Sequence, residues 1–316
     1  MHDWFIKIAG RGEEARQSVV IENGKWVGSL TIALVRNGLG MKQAYNPPWA
    51  RMSGPSFPEN LSERKKAETV RQMIGQLPTN VSYFLTMANE SDFRLFVSEG
   101  FEPVLEENFT IPPDRLPALH DSLSKMTKRH IRQAQRDLFV STTTPETFIE
   151  TYAAHLRARR RKAYAPIEIA LDILREGIRR DQARIFTANR RDTGEIDAAI
   201  ACLWDDKSYY YWMTTRRPPS ADESKPHQGA VKLLLQSAIQ DAATRGLTFD
   251  FDGVGVDSPS GCGRSKLYEG MGAQRSVRYW VRRETRLERI LHRFRAPVKL
   301  AIRNTFGCFM RLKLNA

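Results

Sequence analysis

The chain has 316 residues, of which 41% are hydrophobic, and a formal net charge of +13. This length exceeds that of one typical domain and predicts two globular domains, each with an apolar core. No apolar run approaches the roughly 18 to 20 residues of a membrane-spanning helix, and the N-terminal sequence MHDWFIKIAGRGEE lacks the basic-then-apolar layout of a secretory signal.

The cysteines and histidines argue against a disulfide scaffold and against a metal site. Cys202, Cys262 and Cys308 are widely and irregularly spaced, and no two histidines have the spacing of metal ligands. We therefore expect no bound metal and a reducing, cytoplasmic location.

Positive charge is concentrated towards the C-terminus. Ten Lys or Arg residues but only two Glu lie between Arg282 and Ala316. Apolar residues recur at helical spacing among them, namely Leu287, Ile290, Leu291 and Phe294, then Val298, Ile302, Phe306, Phe309 and Met310. A basic amphipathic tail over residues 284–316 can lie on the inner face of an anionic membrane, or can pack back on the first domain. The pattern leaves both open.

The first predicted domain, residues 1–115, has the order β–α–β–α–β. Periodicity and turn residues predict strands at 25–35, 81–88 and 101–111, and helices at 61–77 and 92–99. Ser62 is the expected cap of the first helix. The segment 44–57 is rich in Pro and Gly and is predicted to be a loop.

A linking helix is predicted over residues 116–136. Its expected inward face is Leu119, Leu123, Met126, Ile131 and Ala134, and its basic face is Lys125, Lys128, Arg129, Arg132 and Arg136. The basic face is either a solvated helix surface or a contact for a phosphate-bearing ligand.

The second predicted domain, residues 137–283, is more clearly patterned. A strand at 138–142 precedes a helix that Thr144 caps and Pro145 opens, and a second helix spans 166–180. A meander of three strands follows (RIFTAN, EIDAAIACLW and SYYYWMTT). A helix at 229–245, the strand LTFDFDG, the segment KLYEGMG and the strand SVRYWVRR complete the domain.

This order resembles the GNAT acyltransferase fold. The helix GAVKLLLQSAIQDAATRGL is similar to the family's coenzyme A helix, and LYEGMGA is similar to its L-Y-E-K-L-G-F segment. The whole chain looks like the FemAB/BioF2-like branch, on the segments SEGFEPVLEENFTI, LSKMTKRHIRQAQRDLFV, RARRRKAYAP and DFDG. The resemblance implies an α/β (α+β) fold with two tandem GNAT-like domains, each a mixed, mostly antiparallel sheet flanked by helices.

The resemblance also implies the co-substrate, acyl-CoA (acetyl-CoA), with no tightly bound cofactor. The diphosphate of coenzyme A would bind at the N-terminus of the helix formed by Gln228, Gly229, Ala230 and Val231, where N–H groups are unpaired. The pantetheine arm would pair with Tyr211, Trp212, Met213 and Thr214. The alternative is that Gly229 only begins a helix after a flexible loop.

Two kinds of side chain could move protons. By resemblance, Tyr268 is the general acid that protonates the leaving thiolate, unless it is a packed aromatic residue. Asp250 and Asp252 alternate with Phe249 and Phe251 and so share one face of a strand. We assign Asp250 as the general base and Asp252 to acceptor binding; capping of local N–H groups is the alternative for both.

The cluster RARRRK predicts the acceptor's charge. Arg157, Arg160 and Tyr164 are assigned with Asp252 to acceptor binding. Arginines there suit an acidic acceptor such as a nucleotide-sugar, a phosphorylated lipid carrier or an acidic glycan. An exposed basic helix end is the alternative.

Three functions follow. The first is transfer of an acyl group from acyl-CoA to an amine, or a hydroxyl, of a cell-envelope or surface-polysaccharide precursor. The second is an aminoacyl-tRNA-dependent, peptidoglycan-type aminoacyltransferase, for which tRNA would be a partner. The third is a non-catalytic GNAT-like module that binds nucleic acid or an anionic membrane. The oligomeric state is left open.

Overall fold

The computed structural model describes residues 3–12, 14–37, 39–47, 49–50, 53–115, 118–163, 165–218, 226–253 and 261–290. They form two compact units. The larger unit comprises the residues up to Ala15, Pro47–Ser53 and Leu105–Tyr279, and the smaller unit comprises Arg16–Asn46, Gly54–Val104 and the residues from Trp280 onwards. This division differs from the predicted boundaries at residues 115, 136 and 283, because it groups the N-terminal residues and the 47–53 segment with the second half of the chain.

The smaller unit contains four strands and two helices among its described residues: β1 (Glu14–Glu22), β2 (Lys25–Arg36), β3 (Lys42–Tyr45), α2 (Glu63–Gly75), β4 (Val81–Ala88) and α3 (Phe93–Val97). β2 and β3 are antiparallel, and β3 and β4 are parallel. The side chain of Ser62 accepts a hydrogen bond from the N–H of Lys65, which confirms the predicted cap. Val70 and Met73 of α2 pack into the core of this unit.

The larger unit contains the helices α1 (Asp3–Ala9), α4 (Leu119–Ser122), α5 (Lys125–Asp137), α6 (Pro145–Ala158), α7 (Ile167–Arg179), α8 (Ala230–Thr244) and α9 (Gly261–Gly270). Its strands are β6 (Leu138–Thr142), β7 (Ala183–Arg190), β8 (Ile196–Trp204), β9 (Ser208–Arg216) and β10 (Thr248–Asp250). β5 (Glu102–Ile111) and β11 (Gln274–Glu284) each have residues in both units.

The sheet of the larger unit has the strand order β5-β10-β9-β8-β7-β6. The pairs β6–β7, β7–β8, β8–β9 and β10–β5 are antiparallel, whereas β9 and β10 are parallel. A mixed, mostly antiparallel sheet was expected here and is present. β9 and β10 are parallel because α8 connects them. This helix carries the chain back to the end of the sheet at which β9 began, so β10 runs in the same direction as β9.

Helices cover both faces of this sheet. Alternate residues of β8 enter two different cores, as the two-residue period of a strand requires: Ala198, Ile200 and Cys202 enter one, and Ala199, Ala201 and Leu203 the other. The first core is completed by α5 and α8, and the second by α1, α6 and α7. Phe5 of α1 is 1% exposed in the second core, which explains why the N-terminal residues group with this unit.

Several predicted elements differ from the structure. The linking helix is two helices, α4 and α5, because Leu123 is extended (φ −64°, ψ 136°) and Ser124 caps α5. The inward prediction for Met126 is wrong, since this residue is 59% exposed while Ile131 is buried. The strand LTFDFDG is shorter than predicted and ends at Asp250. The helix α1 and the strands β1 and β3 have no predicted counterpart.

Candidate active site

The two central strands of the larger unit separate part of the way along β9. β10 pairs with β9 at Thr248 and Ser208, Phe249 and Tyr209, and Asp250 and Tyr210, and then ends. β8 continues to pair with β9 as far as Arg216. From residue 211 to 216, therefore, β9 has no strand on its β10 side in the described part of the chain. Along this open half the backbone N–H and C=O groups on that side are available for a ligand, except the Arg216 carbonyl oxygen, which lies 2.8 Å from Nδ1 of His155.

A β-bulge lies at the start of the open half. Cys202 of β8 is paired with Tyr211, and Ala201 is paired with Met213, which leaves Trp212 as an extra residue. Bulges redirect side chains and are frequent beside functional sites. Trp212 is fixed there because its indole N–H donates to the carbonyl oxygen of Trp49 at 2.9 Å.

A cavity of about 360 Å³ borders the open half of β9. Sequence-predicted site residues in its lining are Tyr211, Trp212, Met213, Thr214, Val231, Asp252 and Tyr268. The lining also contains Arg159, which belongs to the predicted RARRRK cluster although Arg157 and Arg160 were assigned from it, and residues that sequence reasoning did not select, namely His155, Thr215, Arg216, Phe251, Arg264 and Leu267. The structure thus brings the predicted pantetheine strand, the predicted acid and one of the two Asp residues together around one cavity.

Tyr268 lies on α9 and is held in place by contacts with other aromatic rings. It is 4% exposed, and its ring centroid lies 4.8 Å from that of Phe251 and 5.5 Å from that of Phe109. Burial raises the pKa of Tyr268 well above its usual range, and Arg264 acts in the opposite direction. The phenol is therefore protonated at physiological pH. No hydrogen bond to its hydroxyl is found among the described residues, so the proton is free for a ligand.

The N-terminus of α8 is only partly available for a ligand. A Cβ on Gly229 would lie 2.3 Å from the carbonyl oxygen of His130, so glycine is needed here for α5 to pack against α8. The N–H of Gly229 donates to His227 Nδ1 (3.0 Å), and the N–H of Ala230 donates to the His227 carbonyl oxygen (3.1 Å). Two of the predicted diphosphate donors are thus used inside the protein, while Gln228 is exposed.

The next two N–H groups of α8 have no such bonds. Within the described residues, the N–H groups of Val231 and Lys232 have no hydrogen-bond partner. The Lys232 ammonium lies 2.7 Å from Nδ1 of His130. Burial, followed by the nearby Arg216, lowers the pKa of Lys232. The helix end therefore combines free N–H donors with two cationic side chains, which suits a phosphate group.

Asp250 is buried in an ion cluster and does not line the cavity. Nη2 of Arg278 lies 3.1 Å from both carboxylate oxygens of Asp250, and Arg278 also bonds to Asp252. The N–H of Asp252 donates to Asp250 at 2.8 Å. Burial raises the pKa of Asp250, and Arg278 acts against this rise. The capping alternative for this carboxylate therefore has direct support. Asp252 adopts a left-handed conformation (φ 71°) at the edge of the cavity.

The lining of the cavity is cationic. Arg159, Arg216 and Arg264 have no carboxylate partner among the described residues, and the buried Nε of Arg264 has no acceptor there. Asp252 is the one acidic residue of the lining, and Arg278 bonds to it. A cavity with this balance attracts anionic ligands.

The predicted acceptor arginines lie elsewhere. Arg157 and Arg160 are exposed and are not part of the cavity lining, and Arg160 has a φ of 51° where the chain leaves α6. Tyr164 lies outside the described residues. Helical spacing could have identified Arg159 instead, because Tyr152, His155 and Arg159 follow one another at intervals of three and four and so share a face of α6. Arg264 has no comparable signal, since only the KLYEGMG part of α9 was predicted.

Among the described residues, no group of three or more His, Cys, Asp or Glu side chains is arranged to hold a metal ion. No helix among these residues has the length and apolar character needed to cross a bilayer. Residues 291–316 of the predicted tail lie outside the described residues. Leu287, a described residue of the tail's predicted apolar stripe, is 56% exposed.

In a comparison with known protein families, residues 122–259 match the family described as an acetyltransferase (GNAT) domain. This confirms the predicted GNAT-type acyltransferase domain. No curated protein sequence matches the chain.

Similar solved structures cover most of the chain. FemX is 12% identical and has a TM-score of 0.64, with 87% of this chain and 90% of that chain covered. The C-terminal domain (DUF2156) assigned to a lysylphosphatidylglycerol synthetase of Agrobacterium fabrum is 11% identical, with a TM-score of 0.58 and coverages of 90% and 89%. L-PGS from Bacillus licheniformis is 11% identical, with a TM-score of 0.56 and coverages of 88% and 85%. At these identities the likeness shows the fold, and it confirms the predicted α/β class with a FemAB-like GNAT architecture.

Proposed function

From the premise that residues 122–259 form an acetyltransferase (GNAT) domain, we propose that this protein transfers an acyl group from acyl-CoA to an amine. The observation that carries the proposal is the separation of β9 from β10 after Tyr210, with the cavity beginning at Tyr211. The amide groups of a pantetheine arm can pair with the open backbone there as an added strand does. A hydroxyl acceptor would need the same donor site.

The N-terminus of α8 offers a surface that matches the diphosphate of the donor. In this proposal the diphosphate binds the N–H groups of Val231 and Lys232, together with the side chains of Lys232 and Arg216. The predicted contribution of the Gly229 and Ala230 N–H groups is replaced, because both already bond to His227. The helix dipole and two nearby cations supply the favourable potential.

Tyr268 is proposed as the general acid. When the thioester carbon–sulfur bond breaks, the thiolate needs a proton, and a neutral phenol that lines the cavity can donate it. Arg264, which opposes the burial-induced rise in the pKa of Tyr268, also stabilises the tyrosinate that forms. No metal or tightly bound cofactor takes part in this proposal.

The acceptor is proposed to carry both an amine and an anionic group. Arg159 and Arg264 can bind a phosphate or carboxylate, and the Asp252 carboxylate can bind an ammonium group before it loses its proton. Precursors of the cell envelope combine these groups, and the FemAB-like resemblance and the lysylphosphatidylglycerol synthetase among the similar structures point the same way. We propose a cytoplasmic enzyme whose basic C-terminal tail contacts the anionic inner face of the membrane.

A second candidate donor is aminoacyl-tRNA. One observation favours it: five cationic residues of α5 form no ion pair within the described chain, namely Lys125, Lys128, Arg129, Arg132 and Arg136. Four of them are exposed. A stripe of this kind fits a phosphodiester backbone, whose binding weakens steeply with salt.

Isothermal titration with coenzyme A separates the two donors. The proposal expects saturable binding of coenzyme A, and weak binding of RNA at physiological salt. Absence of coenzyme A binding, together with strong and salt-sensitive binding of tRNA, would overturn the acyl-CoA assignment in favour of aminoacyl-tRNA.

The role of Tyr268 is tested separately. Tyr268→Phe should lower kcat by about 10²- to 10⁴-fold while the affinity for coenzyme A is retained. The control is Tyr210→Phe, which removes a hydroxyl bonded to Asp205 on the paired half of β9 and should leave turnover unchanged. Full activity in Tyr268→Phe would remove the acid role.

A further inference from the structure

His155 occupies a position from which it can act on a ligand in the cavity. It lies in the last turn of α6 and is part of the cavity lining. One turn earlier, the carbonyl oxygen of Thr151 accepts a hydrogen bond from the Thr215 hydroxyl at 3.3 Å, which joins α6 to the open half of β9. The imidazole is thus held beside the part of the strand where the thioester is proposed to bind.

One hydrogen bond determines which nitrogen of His155 carries a proton. Nδ1 lies 2.8 Å from the carbonyl oxygen of Arg216. A carbonyl oxygen can only accept, so Nδ1 carries the hydrogen and Nε2 carries the lone pair. No partner for Nε2 is found among the described residues. The ring therefore has a fixed orientation and one free basic atom.

The surroundings favour the neutral ring. Burial lowers the pKa of His155, the bond to Arg216 opposes this, and the charges of Arg159, Arg216 and Arg161 lower the pKa further. Arg264 and Asp252 are the other charged groups of the cavity lining. At neutral pH the ring is accordingly unprotonated, as a base must be before it acts.

The previously assigned base is less suitable. Asp250 does not line the cavity, and its carboxylate is bonded to Arg278, Asn108 and the N–H of Asp252. Removing a proton from an amine would require this carboxylate to leave its partners. His155 has no such constraint.

We propose that His155 is the general base of the transfer and that Nε2 takes the proton of the acceptor amine. This proposal rests on the acyl transfer proposed above. The amine enters as the free base after its ammonium form has lost a proton to water. As the nitrogen bonds to the thioester carbonyl carbon, its proton passes to Nε2 and an imidazolium forms. The carbon–sulfur bond breaks, its electron pair leaves with sulfur, and the thiolate takes the proton of Tyr268. The imidazolium then releases a proton to water, and the tyrosinate regains one from water.

The first experiment examines the ring itself and needs no acceptor. Nitrogen-15 NMR of histidine-labelled protein, assigned with His155→Gln, reports the tautomer and the titration of each ring. The expected result for His155 is a protonated Nδ1 and a pKa below its usual value of about 6.5. A protonated Nε2 in the neutral ring, or a raised pKa, would overturn the proposal whether or not the protein uses acyl-CoA.

The second experiment measures turnover as thiol release from acetyl-CoA, with O-phosphoethanolamine as a small amine that carries a phosphate. Expressed per concentration of free-base amine, kcat/KM should fall at acidic pH in the wild type, with a midpoint below about pH 6.5. His155→Gln should lower kcat/KM by about 10²- to 10⁴-fold and abolish the acidic decline. Added imidazole should partly restore turnover in His155→Ala.

The matched control is His120→Gln at an exposed histidine outside the cavity lining, which should retain the wild-type profile. A variant of His155 that loses activity but keeps the acidic decline would contradict the base role and assign a structural one. If the wild type neither binds coenzyme A nor releases thiol, the acyl-CoA donor is wrong, and the NMR result alone then decides whether His155 has the required basic atom.

Discussion

The two halves of β9 differ in their partners more than in their residues. In the first half, Tyr209 is fully buried, its ring stacks at 5.0 Å on Trp204 and at 5.7 Å on Phe249, and its hydroxyl donates to Asp241 at 2.8 Å. In the second half, Tyr211 lines the cavity, because β10 has already ended. One run of aromatic residues therefore contributes to the core in its first half and to the cavity lining in its second half, and the length of the neighbouring strand decides which part does which.

Charged groups show the same contrast. Beside the paired half, Arg278 bridges Asp250 and Asp252 in a closed cluster. Around the open half, the arginines of the cavity lining have no carboxylate partner in the described chain. The closed cluster should therefore affect stability, whereas the open arginines should affect ligand affinity.

Replacing Arg278 should have the largest effect. The side chain is 6% exposed, so Arg278→Met leaves two partly buried carboxylates without their cation. We expect a loss of about 3–5 kcal/mol in the free energy of unfolding, measured by denaturant titration. Arg275→Ala is the matched control: this arginine of the same strand is 62% exposed in its side chain and pairs with Glu269. Its loss should be at most about 1 kcal/mol. Equal losses would show that the cluster is not a stabilising element.

Substitution of Gly229 tests how closely α5 packs against α8. In Gly229→Ala the new Cβ would lie 2.3 Å from a backbone oxygen, so one helix must shift. The expected loss is about 1–3 kcal/mol in the free energy of unfolding. Gly75→Ala, in a helix with nothing within 4 Å of the added carbon, should instead be neutral or stabilise by up to about 1 kcal/mol. A neutral Gly229→Ala would mean that the turn has room for a ligand beneath it.

Arg159 and Arg157 test the open region, since the two arginines lie two residues apart and only Arg159 lines the cavity. Arg159→Ala should raise the apparent KM for O-phosphoethanolamine about tenfold, a change of about 1.4 kcal/mol, with a smaller effect on kcat. Arg157→Ala should change neither parameter by more than about twofold. A larger increase in KM for Arg157→Ala than for Arg159→Ala would instead support Arg157, the residue first predicted, as the acceptor-binding residue.

The smallest expected effect is on the pH dependence of stability. Because the folded state lowers the pKa of His155, the unfolded chain binds more protons once the pH falls below the usual histidine value. This contribution to stability is complete above about pH 6.5 and is lost as the pH falls towards the lower folded value. His155→Gln should flatten that part of the profile measured by thermal unfolding, while His120→Gln should not. An unchanged slope would mean that the ring titrates normally.

Much of the fold was predictable because hydrophobic period and capping agree in the second half of the chain. The helix that Thr144 caps and Pro145 opens, and the strands β6 to β9, are where the pattern placed them. The break at Leu123 was not predictable, because both short helices share one apolar period. The shortness of β10 was also hidden, since the pattern TFDF continues past the point where pairing stops.

The residues of the candidate active site were predictable where they lie on one strand, and less predictable where their position depends on packing between elements. Tyr211 to Thr214, assigned by resemblance to the pantetheine arm, and Tyr268, assigned as the acid, all line the same cavity. Gly229 was assigned to ligand approach, but the structure gives it a packing role against α5. His155 carries no motif. Its relevance depends on a bond to the carbonyl of Arg216, which lies 61 positions away in the chain.

The position of Cys202, paired with Tyr211 beside the bulge, has a practical consequence. This thiol is fully buried, and burial raises its pKa, so an alkylating reagent cannot modify it in the folded protein. Its side chain lies in the core that α5 and α8 complete, so modification must wait until that core opens. The rate at which Cys202 is labelled, followed on its own peptide by mass spectrometry, therefore reports the opening of this core. A small molecule that occupies the cavity should slow the labelling of Cys202 in proportion to its affinity, so that ligands can be ranked before any reaction has been assigned to them.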